Sequence, residues 1–181
     1  MVPIVFFMQS WMRNRVISNN PEAQLSLLAS KLVEGMSAAG LRLALAESCT
    51  GGWLSKVITD VPGSSDVLDC GFVTYSNQSK TKMLDVAPEL IQLHGAVSGP
   101  VVEAMAAGVL ANSQADVAVA VSGIAGPGGG TPDKPVGTVW IARMRRGEVA
   151  SSTKQQFSGD REAVRIQSVI TLLEGLLSEL D

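Results

Sequence analysis

Apolar residues recur at helical spacing through Leu25, Leu27, Leu28, Leu32, Val33 and Met36, beginning after Asn19-Asn20-Pro21 and stopping at Gly40. An Asn cap, a first-turn proline and a closing glycine are the start and stop signals of a helix. Residues 41–46 are short and mostly apolar, and Glu47-Ser48-Cys49-Thr50-Gly51-Gly52 separates them from a helical stretch over 53–59 that Pro62-Gly63 ends. This reads as strand, tight turn and helix. Residues 67–75 suit a buried strand with Tyr75 at its end, and 76–85 form a polar segment holding a helical turn. Ser98-Gly99-Pro100 then opens an Ala- and Val-rich helix that runs to Ala111 and buries much of its surface.

Residues 117–121 are continuously apolar, the pattern of a strand covered on both faces, and they empty into the glycine-rich loop Ser122 to Gly130. Residues 137–144 and 149–157 flank Arg145-Arg146-Gly147-Glu148 as a β-hairpin, and 161–180 form a long amphipathic helix. The element order predicts an α/β three-layer sandwich with a mixed, largely parallel central sheet covered by helices on both faces. Its first and central strands are expected side by side and parallel. In such sheets ligands collect beyond the carboxyl ends of the strands, and both glycine-rich turns follow strands of that kind.

The chain has 181 residues, 46% hydrophobic and 17% charged, enough for one core, so a single domain over 21–181 is expected after an extension over 1–20. A net charge of −3 argues against a nucleic-acid partner. The small clusters Arg143, Arg145, Arg146 and Lys80, Lys82 read as solvated strand-end and helix positions. Two cysteines point to a reducing, cytoplasmic setting. The apolar run Val2 to Met8 is too short to span a bilayer and lacks a preceding basic region, so no membrane partner is expected. Phe6, Phe7, Met8, Trp11 and Met12 are nevertheless costly to expose, which leaves a docking role for the extension open. That apolar surface and the Ala-rich helix favour a homodimer.

Gly51 and Gly52 open a helix and let backbone amides approach an anion, with Ser48 and Thr50 adding hydroxyls, although a plain capped turn explains the same residues. No Walker A lysine follows. The second loop, with Ser122, Gly123 and Gly126 and continuing to Thr138, is read as substrate-contacting rather than as a bare linker. His94, the single histidine, stands apart from both turns, so a Ser-His-Asp triad is poorly supported. A lysine with a lowered pKa can serve as base, which makes Ser48 with Lys80 the candidate dyad against the ordinary reading of Lys80 as solvated. Cys49 is the weaker nucleophile, expected to point towards the core. No His, Cys, Asp or Glu grouping has metal-ligand spacing.

The ordered motifs Ala46-Glu47-Ser48-Cys49-Thr50-Gly51-Gly52, Val73-Thr74-Tyr75-Ser76-Asn77 with Lys80, Ser122-Gly123-Ile124-Ala125-Gly126-Pro127, Lys134-Pro135-Val136-Gly137-Thr138-Val139 and Phe157-Ser158-Gly159-Asp160-Arg161 resemble the CinA C-terminal domain family over residues 22–180. The resemblance implies hydrolysis of the carboxamide of nicotinamide mononucleotide without metal or other cofactor. It implies Ser48 as nucleophile, Lys80 as its base and Tyr75 as orienter or proton relay, with the glycine loops holding phosphate, ribose and oxyanion. Arg161 is expected on the phosphate, a role suited to its bidentate fork. A non-catalytic nucleotide sensor of the same family, or a partner-binding module, is the competing expectation.

Overall fold

The computed structural model describes residues 20–180. The extension expected over 1–20 lies, apart from Asn20, outside the described residues. In chain order the elements are α1 (Pro21–Ala39), β1 (Leu43–Glu47), α2 (Trp53–Thr59), a 3-10 turn (Ser64–Asp66), β2 (Leu68–Val73), α3 (Asn77–Leu84), α4 (Pro88–His94), α5 (Gly99–Ala111), β3 (Val117–Gly123), β4 (Thr138–Arg145), β5 (Ser151–Gln156) and α6 (Arg161–Leu177). The Asn20 side chain accepts from the Glu22 and Ala23 amides, and Gly40 closes α1 in the left-handed conformation at φ 67°. Both ends of α1 are therefore terminated as the sequence signals require.

The five strands form one mixed sheet in the order β2-β1-β3-β4-β5. β1 runs parallel to both β2 and β3, while β4 and β5 continue the sheet antiparallel as a hairpin. Side chains alternate across a strand, and here the alternation also sorts sizes. Leu43, Leu45, Val117, Val119, Val121, Val139 and Ile141 face a core shared with α1, α2 and α6. Ala44, Ala46, Ala118, Ala120 and Ala142 face the other core, where α5 contributes Val101, Val102, Met105, Ala106 and Val109. Alanine on that face lets α5 approach the sheet closely, and the two helical layers complete the sandwich.

Gly108 of α5 meets the next layer. A Cβ there would stand 2.0 Å from the Leu84 carbonyl oxygen, so only glycine lets the C-terminal end of α3 seat against α5. β2 departs from the buried strand expected over 67–75. It is an edge strand of intermediate exposure, and Tyr75 lies two residues beyond it with 60% of its surface exposed. An apolar run of this length is compatible with an edge or a centre, and only the pairing decides. Among the described residues no helix is long and apolar enough to cross a membrane.

Candidate active site

Because β2, β1 and β3 are mutually parallel, their carboxyl ends share one edge of the sheet. Ser48 follows β1, Thr74 and Tyr75 follow β2, and Ser122 and Gly123 end β3. The Ser48 amide donates to the Val121 carbonyl at 3.1 Å, and the Thr74 amide donates to the Glu47 carbonyl at 2.8 Å. These two bonds extend the ladder past β1 and fix where the Ser48 backbone sits between its neighbours.

Lys80 reaches this edge from the first turns of α3. Ser76 caps that helix in a reciprocal capping box with Ser79, which sets its entry angle. Lys80 Nζ stands 3.0 Å from Ser48 Oγ and 2.6 Å from the Thr74 carbonyl oxygen. The lysine is 1% exposed and the serine 8%. Among the described residues no carboxylate pairs with this amine. Burial without a counter-ion disfavours the ammonium, and the Lys80 pKa falls from 10.5 to about 8. The neutral amine is thus far more accessible than on an ordinary lysine. It can donate to Thr74 while its lone pair faces the Ser48 hydroxyl, the arrangement of a nucleophile and its base.

Tyr75 and Arg161 meet each other. Arg161 Nη2 donates to the Tyr75 hydroxyl oxygen at 2.7 Å, and Nη1 donates to the Gly126 carbonyl at 2.9 Å. One guanidinium thereby links the segment after β2 to the glycine-rich loop after β3. Asp160 caps α6 by accepting from the Ala163 amide at 2.9 Å, which holds Arg161 at the first position of that helix. Ser122 is 1% exposed at the end of β3. A Cβ on Gly123 would meet Val139 Cγ2 at 2.6 Å and Cys49 Sγ at 3.1 Å, so its bareness serves packing.

Several expected contacts are corrected by the local geometry. The Gly51 amide donates to the Ser48 carbonyl at 3.1 Å and the Gly52 amide to Glu47 Oε2 at 2.9 Å. Neither is left to bind an anion, and what both glycines supply is backbone at φ 62° and 91°. Thr50 is fully buried, its hydroxyl enclosed without a partner among the described residues. Thr138, also fully buried, turns its hydroxyl to Gln156 Oε1 at 3.0 Å and so ties the hairpin rather than lining the cleft. In both cases strand or turn parity directs the side chain inward.

Cys49 points into the core as expected. It is 6% exposed, and burial pushes its thiol up to about 11, which removes the thiolate that a nucleophile needs. His94 is exposed at the end of α4, where its carbonyl accepts from Lys134 Nζ at 2.7 Å. A cavity of about 600 Å³ opens between α3 and α4 beside Thr81, Lys82 and Ile91. Its lining includes neither Ser48 nor Lys80.

Two residues without a sequence-derived role build the turn. Glu47 is fully buried, and its carboxylate accepts from the amides of Gly52, Leu54 and Ser55 and from the Ser55 hydroxyl. Arg165, one helical turn after Arg161, donates to the Cys49 carbonyl at 3.2 Å and the Thr50 carbonyl at 2.7 Å, with its guanidinium 4.8 Å from the Trp53 ring centroid. Glu47 stood inside the recognised motif, and the i,i+4 spacing of the two arginines was its only other signal.

The model of the CinA C-terminal domain matches residues 25–180. A nicotinamide-nucleotide amidohydrolase PncC of Escherichia coli strain K12 is 49% identical over 156 residues, covering 86% of this chain and 94% of that protein. A protein of the same description from Pseudomonas putida is 52% identical over 153 residues, covering 84% and 95%. The crystal structure of the competence/damage inducible protein CihA from Agrobacterium tumefaciens superimposes with a TM-score of 0.83 at 41% identity, covering 86% of this chain and 94% of that one.

Proposed function

The chain belongs to the CinA C-terminal domain family, and on that premise we propose that it is an amidohydrolase converting nicotinamide mononucleotide and water to nicotinate mononucleotide and ammonia. The observation that carries this reading is the 3.0 Å approach of Lys80 Nζ to Ser48 Oγ, with both side chains buried and, among the described residues, no carboxylate paired with the lysine. The curated relatives described above, named for that amidohydrolase activity, support the substrate.

In the first half-reaction the Ser48 oxygen attacks the carboxamide carbon while its proton passes to neutral Lys80. The tetrahedral intermediate collapses as Lys80 returns that proton to the departing nitrogen, releasing ammonia and leaving an ester on Ser48. Water then attacks the ester with Lys80 again as base, and the carboxylate product leaves with Ser48 restored. Lowering the lysine from 10.5 to about 8 makes the neutral base about 300-fold more abundant near neutral pH. The Thr74 carbonyl accepts from Lys80 in both protonation states, and when the amine is neutral its lone pair is left to take the serine proton.

Arg161, exposed and held by the Gly126 carbonyl and Tyr75, offers a guanidinium suited to the substrate phosphate, and Tyr75 orients it by accepting one of its N–H groups. Ser122, beside the Ser48 backbone at the end of β3, lies within the reacting region. The substrate is a free mononucleotide and no nucleic acid, membrane or metal enters the reaction. The reading places the enzyme in the cytoplasm as a homodimer.

The test is ammonia release from nicotinamide mononucleotide by purified protein, with the product identified chromatographically. Turnover by the wild type and a loss of about 1,000-fold or more in Ser48→Ala are expected. Tight nucleotide binding without ammonia release would instead mark a sensor and overturn the proposal.

A further inference from the structure

Glu47 precedes the serine directly, and its side chain is fully buried against the start of α2. Its two oxygens accept four hydrogen bonds, from the Gly52 amide at 2.9 Å, the Leu54 amide at 3.1 Å, the Ser55 amide at 2.8 Å and the Ser55 hydroxyl at 2.6 Å. The donors all lie on the far side of the turn that carries Ser48. A buried carboxylate is tolerated only where such donors satisfy it, and the same bonds satisfy amides at the start of α2 that have no partner within the helix.

β2 is shaped to admit this arrangement. A Cβ on Gly71 would stand 2.6 Å from Ser55 Oγ and 3.6 Å from Ser55 Cβ. The first distance is a collision and the second an ordinary contact. Only the hydroxyl, and not the rest of the serine, therefore requires glycine at position 71.

We propose that Glu47 is a positioning residue for catalysis, its carboxylate drawing the Gly52–Ser55 segment back onto the end of β1 so that the intervening turn holds Ser48 Oγ against Lys80 Nζ. This rests on the reading of Ser48 and Lys80 as the reacting pair. The carboxylate acts through geometry. All four of its hydrogen bonds go to the Gly52–Ser55 segment and none to Lys80.

The experiment uses the full chain and nicotinamide mononucleotide, assayed well below each variant's unfolding midpoint. Glu47→Gln keeps the shape but replaces one acceptor oxygen by a donor facing amide donors. Its kcat is expected to fall about 100-fold with KM changed less than about threefold, the signature of a displaced reacting group. The kinetic pKa stays near 8. A kcat within threefold of wild type, or a loss confined to KM, overturns the proposal.

Ser55 and Gly71 test it without altering Glu47. Ser55→Ala removes one of the four bonds and is expected to lower kcat by about three- to tenfold. Gly71→Ala displaces the Ser55 hydroxyl and should cost at least as much. The double variant should be no worse than Ser55→Ala alone, because an alanine at 55 leaves room for the new methyl group. Additive losses contradict the account. A substrate-free arm separates this claim from the proposed function: alkylation of Cys49 in native protein, read by peptide mass mapping, should accelerate at least about tenfold in Glu47→Gln as the turn loosens. If wild type releases no ammonia, the proposed function fails, and unchanged Cys49 alkylation in Glu47→Gln then sinks the positioning claim as well.

Discussion

Replacing Lys80 by Met should abolish activity and change how stability responds to pH. The methionine keeps the apolar stem and removes the amine, which in the wild type is 1% exposed and unpaired with any carboxylate among the described residues. The gap between the ordinary 10.5 and about 8 in the fold corresponds to about 3 kcal/mol of penalty for holding the proton in the folded state. Below pH 8 both folded and unfolded wild type carry the proton, and that penalty is felt in full. Between pH 8 and 10.5 the unfolded chain keeps the proton that the folded chain has released, so wild-type stability from this group rises with pH. Lys80→Met lacks the effect. Its stability relative to wild type should therefore fall by about 3 kcal/mol between pH 7 and pH 11. At pH 7 the variant also leaves the Thr74 carbonyl without its donor, at a cost of about 1–3 kcal/mol that offsets much of the relief. Paired urea unfolding of the two proteins across this range isolates the pH-dependent part, because the other titrating groups are common to both and Cys49, which Lys80 influences, titrates only at the top of the range. A stability difference that does not vary with pH would refute the argument that burial holds the proton off this amine.

The remaining predictions concern rate and packing. Since the base must be neutral, kcat/KM should rise about tenfold per pH unit below the Lys80 pKa of about 8 and level off above it; a rate falling between pH 6 and 8 contradicts the role. Cys49→Ala should retain activity within a few-fold when assayed as folded protein, because the thiol is buried and raised to about 11. Gly108→Ala puts a methyl group 2.0 Å from the Leu84 carbonyl and should destabilise by about 2–4 kcal/mol in urea unfolding, with reduced turnover because α3 carries Lys80. Arg165→Lys replaces the fork shared by the Cys49 and Thr50 carbonyls with a single ammonium, and an approximately tenfold lower kcat/KM with altered Trp53 fluorescence is expected.

The layered sheet was legible because its centre is written in local patterns. The short apolar runs of β1 and β3, each followed by a polar glycine-rich turn, mark parallel strands and the edge where the site lies. The meeting of Ser48 with Lys80 was accessible only as a pairing of suitable chemistries, since 32 residues separate them and local periodicity carries no sign of their approach. The inward turn of the Thr50 and Thr138 side chains was not legible, because side-chain direction depends on strand and turn parity that composition does not reveal. Glu47 and Arg165 escaped for a different reason. Their partners are mostly backbone amides and carbonyls, which every residue possesses, and those of Arg165 lie more than a hundred positions away in the chain. The edge position of β2 likewise follows from pairing rather than from its own apolar content.

Covalent capture of the nucleophile is the most direct test of the Ser48–Lys80 pair. Wild-type protein mixed with nicotinamide mononucleotide, acid-quenched before steady state and mapped by fragmentation mass spectrometry, should carry the nucleotide acyl group, minus ammonia, on Ser48. An acyl group located on Cys49 or any other side chain would contradict the account.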